Sequence, residues 1–101
     1  MASSKNVVLS ENLQKELINI TKKEDVVGAI KELLHRELLR KKNKYTFMVK
    51  NFEKKYHMKF EEFEWKYKDQ KMEYETEKDY FDWDMAVTAL EDIEEELRGI
   101  V

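Results

Sequence analysis

A mainly α-helical fold, opened by one short strand, is the class this sequence predicts. Three observations carry that expectation. Apolar residues recur at spacings of three and four over most of the chain, the period of a helix with one buried face. The 101 residues include no Pro and only two Gly, too little turn chemistry for a β-sandwich or barrel. Charged residues make up 41%, yet aromatics are retained at 12%, which suits long helices with solvated faces better than disorder. The length holds one domain, or one small domain with an extension, and excludes a TIM barrel, a kinase or a two-lobed enzyme. With no Cys, the chain has no disulfide, Cys-ligated zinc, iron–sulfur cluster or thiol catalysis.

The strand is Asn6-Val7-Val8-Leu9, a short β-branched run. The chain offers no second strand candidate. The economical partner is the same strand of another copy, which implies a symmetric dimer. Ser10 then reads as an N-cap with Glu11 in the first turn, so a helix is expected over about residues 11–21. Its apolar residues are Leu13, Leu17, Ile18 and Ile20. Lys22-Lys23-Glu24-Asp25 is a polar break, and Asp25 can cap the next helix.

From there Val26, Val27, Ile30, Leu33, Leu34 and Leu38 mark a second helix. Gly28 inside it costs about 1 kcal/mol relative to Ala. Either a close approach to another backbone or chance explains its use. The pattern resumes after Arg40-Lys41-Lys42-Asn43-Lys44 at Tyr45, Met48, Val49, Phe52 and Tyr56. One long helix or two with a kink both fit, and a near-continuous helix is favoured. Its basic face carries Arg36, Arg40, Lys44, Lys50 and Lys54.

His57 occupies the C-cap region, where Gly or Asn is commoner. Phe60, Phe63 and Tyr67 then define a short amphipathic helix, with Trp65 on a different side. Residues 69–76 are polar and read as a connection. The last helix is expected over about 76–98, with Tyr80, Trp83, Val87, Leu90, Ile93 and Leu97 as its apolar stripe. Glu91, Asp92, Glu94, Glu95 and Glu96 load its C-terminal part with charge that opposes the helix dipole, which suggests another task for them.

Charge is divided along the chain. Residues 1–57 carry 13 Lys and Arg against 7 Asp and Glu, or +6; residues 58–101 carry 6 against 15, or −9. Nucleic acid is the candidate partner for the first part and a basic protein for the second. A plain alternative is that the two halves attract each other or a neighbouring chain. No apolar run is long enough to span a membrane and no leader is visible, so the cytoplasm is the expected location.

Catalytic constellations are weak. His35 and His57 belong to no metal-ligand spacing. Asp79 and Asp82 are i and i+3 on a helix, a pairing that can hold a cation or move a proton, but no His or Glu accompanies them at useful spacing. Asp79, Asp82 and Asp84 around Tyr80, Phe81 and Trp83 read better as an acidic–aromatic docking surface. GxGxxG, the P-loop and GxSxG are all missing from the sequence. The expectation is no enzyme, no catalytic residue, no cofactor and no metal.

Two resemblances add to this reading. Asn6 through Leu13, then Leu17, Ile20 and Val26 through Leu38, resemble the ribbon–helix–helix fold. The resemblance implies an intertwined homodimer whose paired strands enter the DNA major groove and whose second helix holds a phosphate. Val7 and Leu9 would face the core, and Lys5, Asn6 and Val8 the groove. Phe52-Glu53-Lys54-Lys55-Tyr56-His57-Met58-Lys59-Phe60-Glu61-Glu62-Phe63 and Asp79-Tyr80-Phe81-Asp82-Trp83-Asp84 resemble the C-terminal parts of small prokaryotic antitoxins, especially archaeal ones. Those proteins show a Tyr-Gly-Met-Ser-Phe-Glu-Glu-Phe turn; here His57 stands for the Gly and Lys59 for the Ser. The resemblance implies an acidic helical arm over a basic ribonuclease toxin.

The combined expectation is an antitoxin with two parts. Residues 1–44 would dimerise and, as a secondary role, bind DNA to autoregulate, through Lys5, Asn6, Val8, Arg36, Arg40, Lys41, Lys42 and Lys44. Residues 45–101 would bind the toxin through Phe60, Phe63, Trp65, Asp79, Tyr80, Phe81, Asp82, Trp83, Asp84 and Leu90. The alternatives are a structural or adaptor helical homodimer, and a nucleic-acid binder acting through the basic face of residues 36–55.

Overall fold

The computed structural model describes residues 8–100, and its regular elements there are four helices: α1 (Glu11–Thr21), α2 (Val26–Tyr56), α3 (Phe60–Tyr67) and α4 (Tyr74–Gly99). The expected strand is overturned. Asn6 and Val7 lie outside the described residues, while Val8 and Leu9 pair with no strand. The physical reason is local. The Leu9 carbonyl accepts from Gln14 Nε2 at 2.9 Å, and the Ser10 carbonyl accepts the Gln14 N–H at 3.0 Å. These residues serve as the lead-in to a helix, so the ribbon–helix–helix reading does not fit.

The helix signals are read at their ends. Ser10 is extended and its hydroxyl accepts the Leu13 N–H at 3.1 Å, capping α1. The helix closes at Lys22, left-handed at φ 60, whose N–H reaches the Ile18 carbonyl. Asp25 then starts α2: its carboxylate accepts the Gly28 N–H at 2.6 Å. A Cβ at Gly28 would stand 2.9 Å from Asp25 Oδ1, so the close approach is to the capping carboxylate and not to another backbone. α2 then continues unbroken through the Arg40–Lys44 basic run, where every residue is a tolerated helix former.

The α2–α3 turn uses two unfavourable residues. His57 is left-handed at φ 57, and Lys59 sits at the N-cap without an acceptor side chain. Only the return half of a capping box forms, Glu62 Oε1 accepting the Lys59 N–H at 3.3 Å. The left-handed region costs a residue with a Cβ roughly 1–2 kcal/mol. A Ser at an N-cap is worth about 1 kcal/mol. His57→Gly combined with Lys59→Ser should therefore stabilise the protein, with a raised urea midpoint and an unchanged denaturant slope. A lower midpoint would contradict this account of the turn.

The chain divides into two units, Met1–Arg36 and Glu37–Val101. In the first, only Thr21 and Ala29 are buried among the described residues. In the second, the Glu37–Tyr56 part of α2 packs with α3 and α4 around Phe60, Phe63 and Trp83. Val49, Phe52, Tyr56, Met58, Tyr67, Tyr80 and Val87 close this core. Trp83 lies at its centre, with ring centroids 5.0 Å from Phe63, 5.4 Å from Phe60, 5.5 Å from Phe52 and 5.8 Å from Tyr56. Such pairs add about 0.5–1.5 kcal/mol each beyond their burial. Among the described residues no helix is long and apolar enough to cross a membrane.

Candidate partner-binding groove

Core packing decides which side chains remain free. Phe63 and Trp83 are fully buried, so they hold the unit together and offer a partner no surface, while Phe60 belongs to the same core and keeps 8% exposure. Tyr80 is half-buried; its hydroxyl donates to Glu64 Oε2 at 2.8 Å and ties α4 to α3. Hydrogen bonding to Glu64, together with burial, raises the Tyr80 pKa. Neighbouring positions on a helix diverge by about 100°. The turn from Tyr80 carries Phe81 outward, to 59% exposure, with its ring edge against Tyr80 at 5.4 Å. Trp65 is also exposed, with Lys68 Nζ 4.4 Å from its ring centroid.

The three aspartates divide by environment. Asp79 is intramolecular: Oδ2 accepts from Lys55 Nζ and from the Tyr56 hydroxyl, each at 2.5 Å. Burial opposes its ionisation, but the Lys55 and Tyr56 hydrogen bonds outweigh burial and hold its pKa below the ordinary value. Asp82 is half-buried and Asp84 exposed. Among the described residues no group of three or more His, Cys, Asp or Glu could hold a metal ion. A carboxyl whose folded pKa is depressed contributes stability above its unfolded pKa of about 3.9. That contribution is lost as pH falls through the folded value. Between pH 5 and pH 2.5 the wild type should therefore lose more stability than Asp79→Asn. Equal losses in urea titrations at the two pH values would contradict this assignment.

At the start of α3 an open groove of about 390 Å³ is lined by residues of α2, α3 and α4. Val49, Phe60, Val87 and Leu90 form its apolar floor, and Glu53, Glu61, Glu91, Glu94 and Lys59 its rim. The i, i+4 spacing of Val49 and Glu53 puts both on one side of α2. Val87, Leu90, Glu91 and Glu94 share one side of α4 by the same rule. Two rim carboxylates are engaged. Glu53 meets Lys59 at 3.4 Å, and Glu94 meets Lys42 at 2.8 Å, a bond that lowers the Glu94 pKa. Glu61 and Glu91 are exposed and make no ion pair among the described residues. The rim is thus acidic in excess over an apolar floor. That arrangement suits a cationic side chain with an apolar stem, or a basic amphipathic segment.

Of the residues expected from sequence to bind a partner, Phe60 and Leu90 line this groove. Val49, Glu53, Glu61, Val87 and Glu91 were not among them. Their signal was present as shared helix faces, but nothing in the sequence says which faces meet. On the outer side of α4, Phe81 is exposed as the docking reading requires, and Tyr74 and Met85, which the sequence reading missed, are exposed beside it at i and i+11 to its i+7. The acidic end of α4 has one visible use, in the Glu94–Lys42 pair.

The basic residues are partly neutralised within the chain. Arg36 Nε meets Glu32 at 2.8 Å, Arg40 Nη2 meets Glu37 at 2.7 Å, and Lys42 is held by Glu94. Lys41 and Lys44 are exposed, and Val8 is 89% exposed. Lys5 and Asn6 lie outside the described residues. A carboxylate beside each of three cations weakens the attraction for a phosphate backbone. Comparison with family models, curated proteins and solved structures finds no significant match to this chain.

Proposed function

We propose that the protein is a non-enzymatic binding module of the antitoxin kind, which captures a basic partner protein in the acidic-rimmed groove of residues 37–101. The observation that carries this reading is the excess of rim carboxylate, Glu61 and Glu91, over an apolar floor of Val49, Phe60, Val87 and Leu90. Apolar contact supplies affinity, and the rim supplies orientation and a fast encounter. A ribonuclease toxin is the partner class that the resemblance of residues 50–97 favours. Capture by the groove requires no strand pairing and no DNA contact.

The test is affinity purification of tagged protein from the native host, with mass identification of what co-elutes. A small basic protein should be retained, and raised salt should weaken its retention. Coexpression of the two should restore growth that the partner alone arrests. Retention of nucleic acid alone, or of no basic protein, would reject the reading. Salt-insensitive retention would reject the role of the rim.

A further inference from the structure

One side of α2 is used by neither the core nor the groove. Asn43, Lys44, Phe47, Lys50, Asn51 and Lys54 stand at i, i+1, i+4, i+7, i+8 and i+11, within an arc of about 120° on the helix, and all six are exposed. The core residues Val49, Phe52 and Tyr56 occupy the opposite side. From Leu38 to Phe52 the chain has five Lys and Arg and no Asp or Glu. The ion pairs of this part of the fold use Arg40, Lys42, Lys55 and Lys59. Lys44, Lys50 and Lys54 have no carboxylate partner among the described residues. Phe47, flanked by these three, is 67% exposed.

Charge selects the sign of the occupant, and the ring selects its kind. Three unpaired ammonium groups around an exposed ring suit a polyanion with flat apolar faces. An acidic protein would find one apolar side chain to bury here, where protein interfaces need an apolar core inside a polar rim. A duplex keeps its bases stacked on one another and offers the ring only a groove edge. A single strand presents phosphates to the lysines and an unstacked base to the ring. Asn43 and Asn51 lie one turn to either side of Phe47, and their amides both donate and accept, as does the 2′-hydroxyl of ribose. The net charge of −3 on the whole chain does not oppose this, because charges beyond about 10 Å are screened at 0.1 M salt. We propose that this face of α2 is a binding site for single-stranded RNA, with Phe47 as its stacking platform and Lys44, Lys50 and Lys54 as its phosphate contacts. The site is separate from the groove, whose α2 residues Val49 and Glu53 lie on another side of the helix.

Fluorescence anisotropy of a labelled oligouridylate of about ten nucleotides, titrated with the full chain, reads this site. The oligonucleotide should bind, and its affinity should fall roughly 20-fold between 50 and 200 mM salt, the slope of three phosphate contacts on a single strand. Phe47→Leu keeps apolar bulk but removes the ring, and should weaken binding at least about fivefold, whereas Phe47→Tyr should bind as the wild type does. Lys44→Gln with Lys50→Gln and Lys54→Gln should abolish the salt dependence together with the binding. All four positions are exposed, so an unchanged thermal melt separates loss of the site from loss of the fold. The deoxy strand of the same sequence and an RNA duplex of the same length should both bind more weakly. No binding of the oligouridylate at 50 mM salt, wild-type affinity in Phe47→Leu, or equal binding of the deoxy strand or the duplex would overturn the proposal.

Discussion

Trp83→Ala should remove most of the stability of residues 37–101. The side chain is fully buried and touches four aromatic rings from α2 and α3. Emptying such a site costs about 3–5 kcal/mol, through lost transfer energy and the cavity left behind. Domains of this size hold only about 5–15 kcal/mol in total. At roughly 4–8 °C per kcal/mol, the thermal midpoint should fall by at least 12 °C. Trp83→Phe gives an internal control. The indole Nε1–H finds no acceptor among the described residues, so exchange for Phe gives up volume but no hydrogen bond. It should cost about 1–2 kcal/mol. Circular dichroism melts of the three proteins check both numbers. A loss below 1 kcal/mol for Trp83→Ala would mean that the aromatic cluster is not what holds the unit.

The second large effect concerns binding. Glu61→Lys with Glu91→Lys should weaken capture of the basic partner by roughly 30-fold or more, because two attractive rim charges become repulsive and like-charge juxtaposition costs several kcal/mol. Both residues are exposed, so the melting temperature should hardly change. The separation of the two readouts matters. Trp83→Ala loses binding because the unit unfolds, whereas the double Lys variant loses it while folded. Asp79→Asn is a third case: its carboxylate serves Lys55 and Tyr56, so it should change acid stability and leave capture at neutral pH nearly intact.

The helices are legible because their signals are local. Ser10 and Asp25 cap as their side chains allow, and the apolar period survives the Arg40–Lys44 run without Pro or Gly to break it. α4 starts at Tyr74 and ends at Gly99, within two residues of expectation at each end. The strand expectation fails because β-branched residues mark a strand only where a ladder partner exists. At Leu9 and Ser10 the carbonyls go to Gln14 instead. Gly28 is half legible: its cost is visible in the sequence, but not that its nearest neighbour is the capping carboxylate three residues away.

The site is less legible. Phe60, Phe63, Tyr80 and Trp83 recur at helical spacing, which fits a core and a docking face equally well; only tertiary packing decides. Burial assigns Phe63 and Trp83 to the core and leaves Phe81 and Trp65 outside. The groove is built from three helices, so no single stretch of sequence displays it. Its charge is foreshadowed by the −9 of residues 58–101, but Glu53 comes from the basic half.

Hydrogen exchange on the complex with the captured partner tests the central claim most directly. Binding in the groove should slow exchange around Val49–Glu53, Phe60–Glu61 and Val87–Glu94, with the outer side of α4 at Tyr74, Phe81 and Met85 unchanged. Protection confined to that outer side, to the basic run Arg40–Lys44, or to α1 would contradict the account.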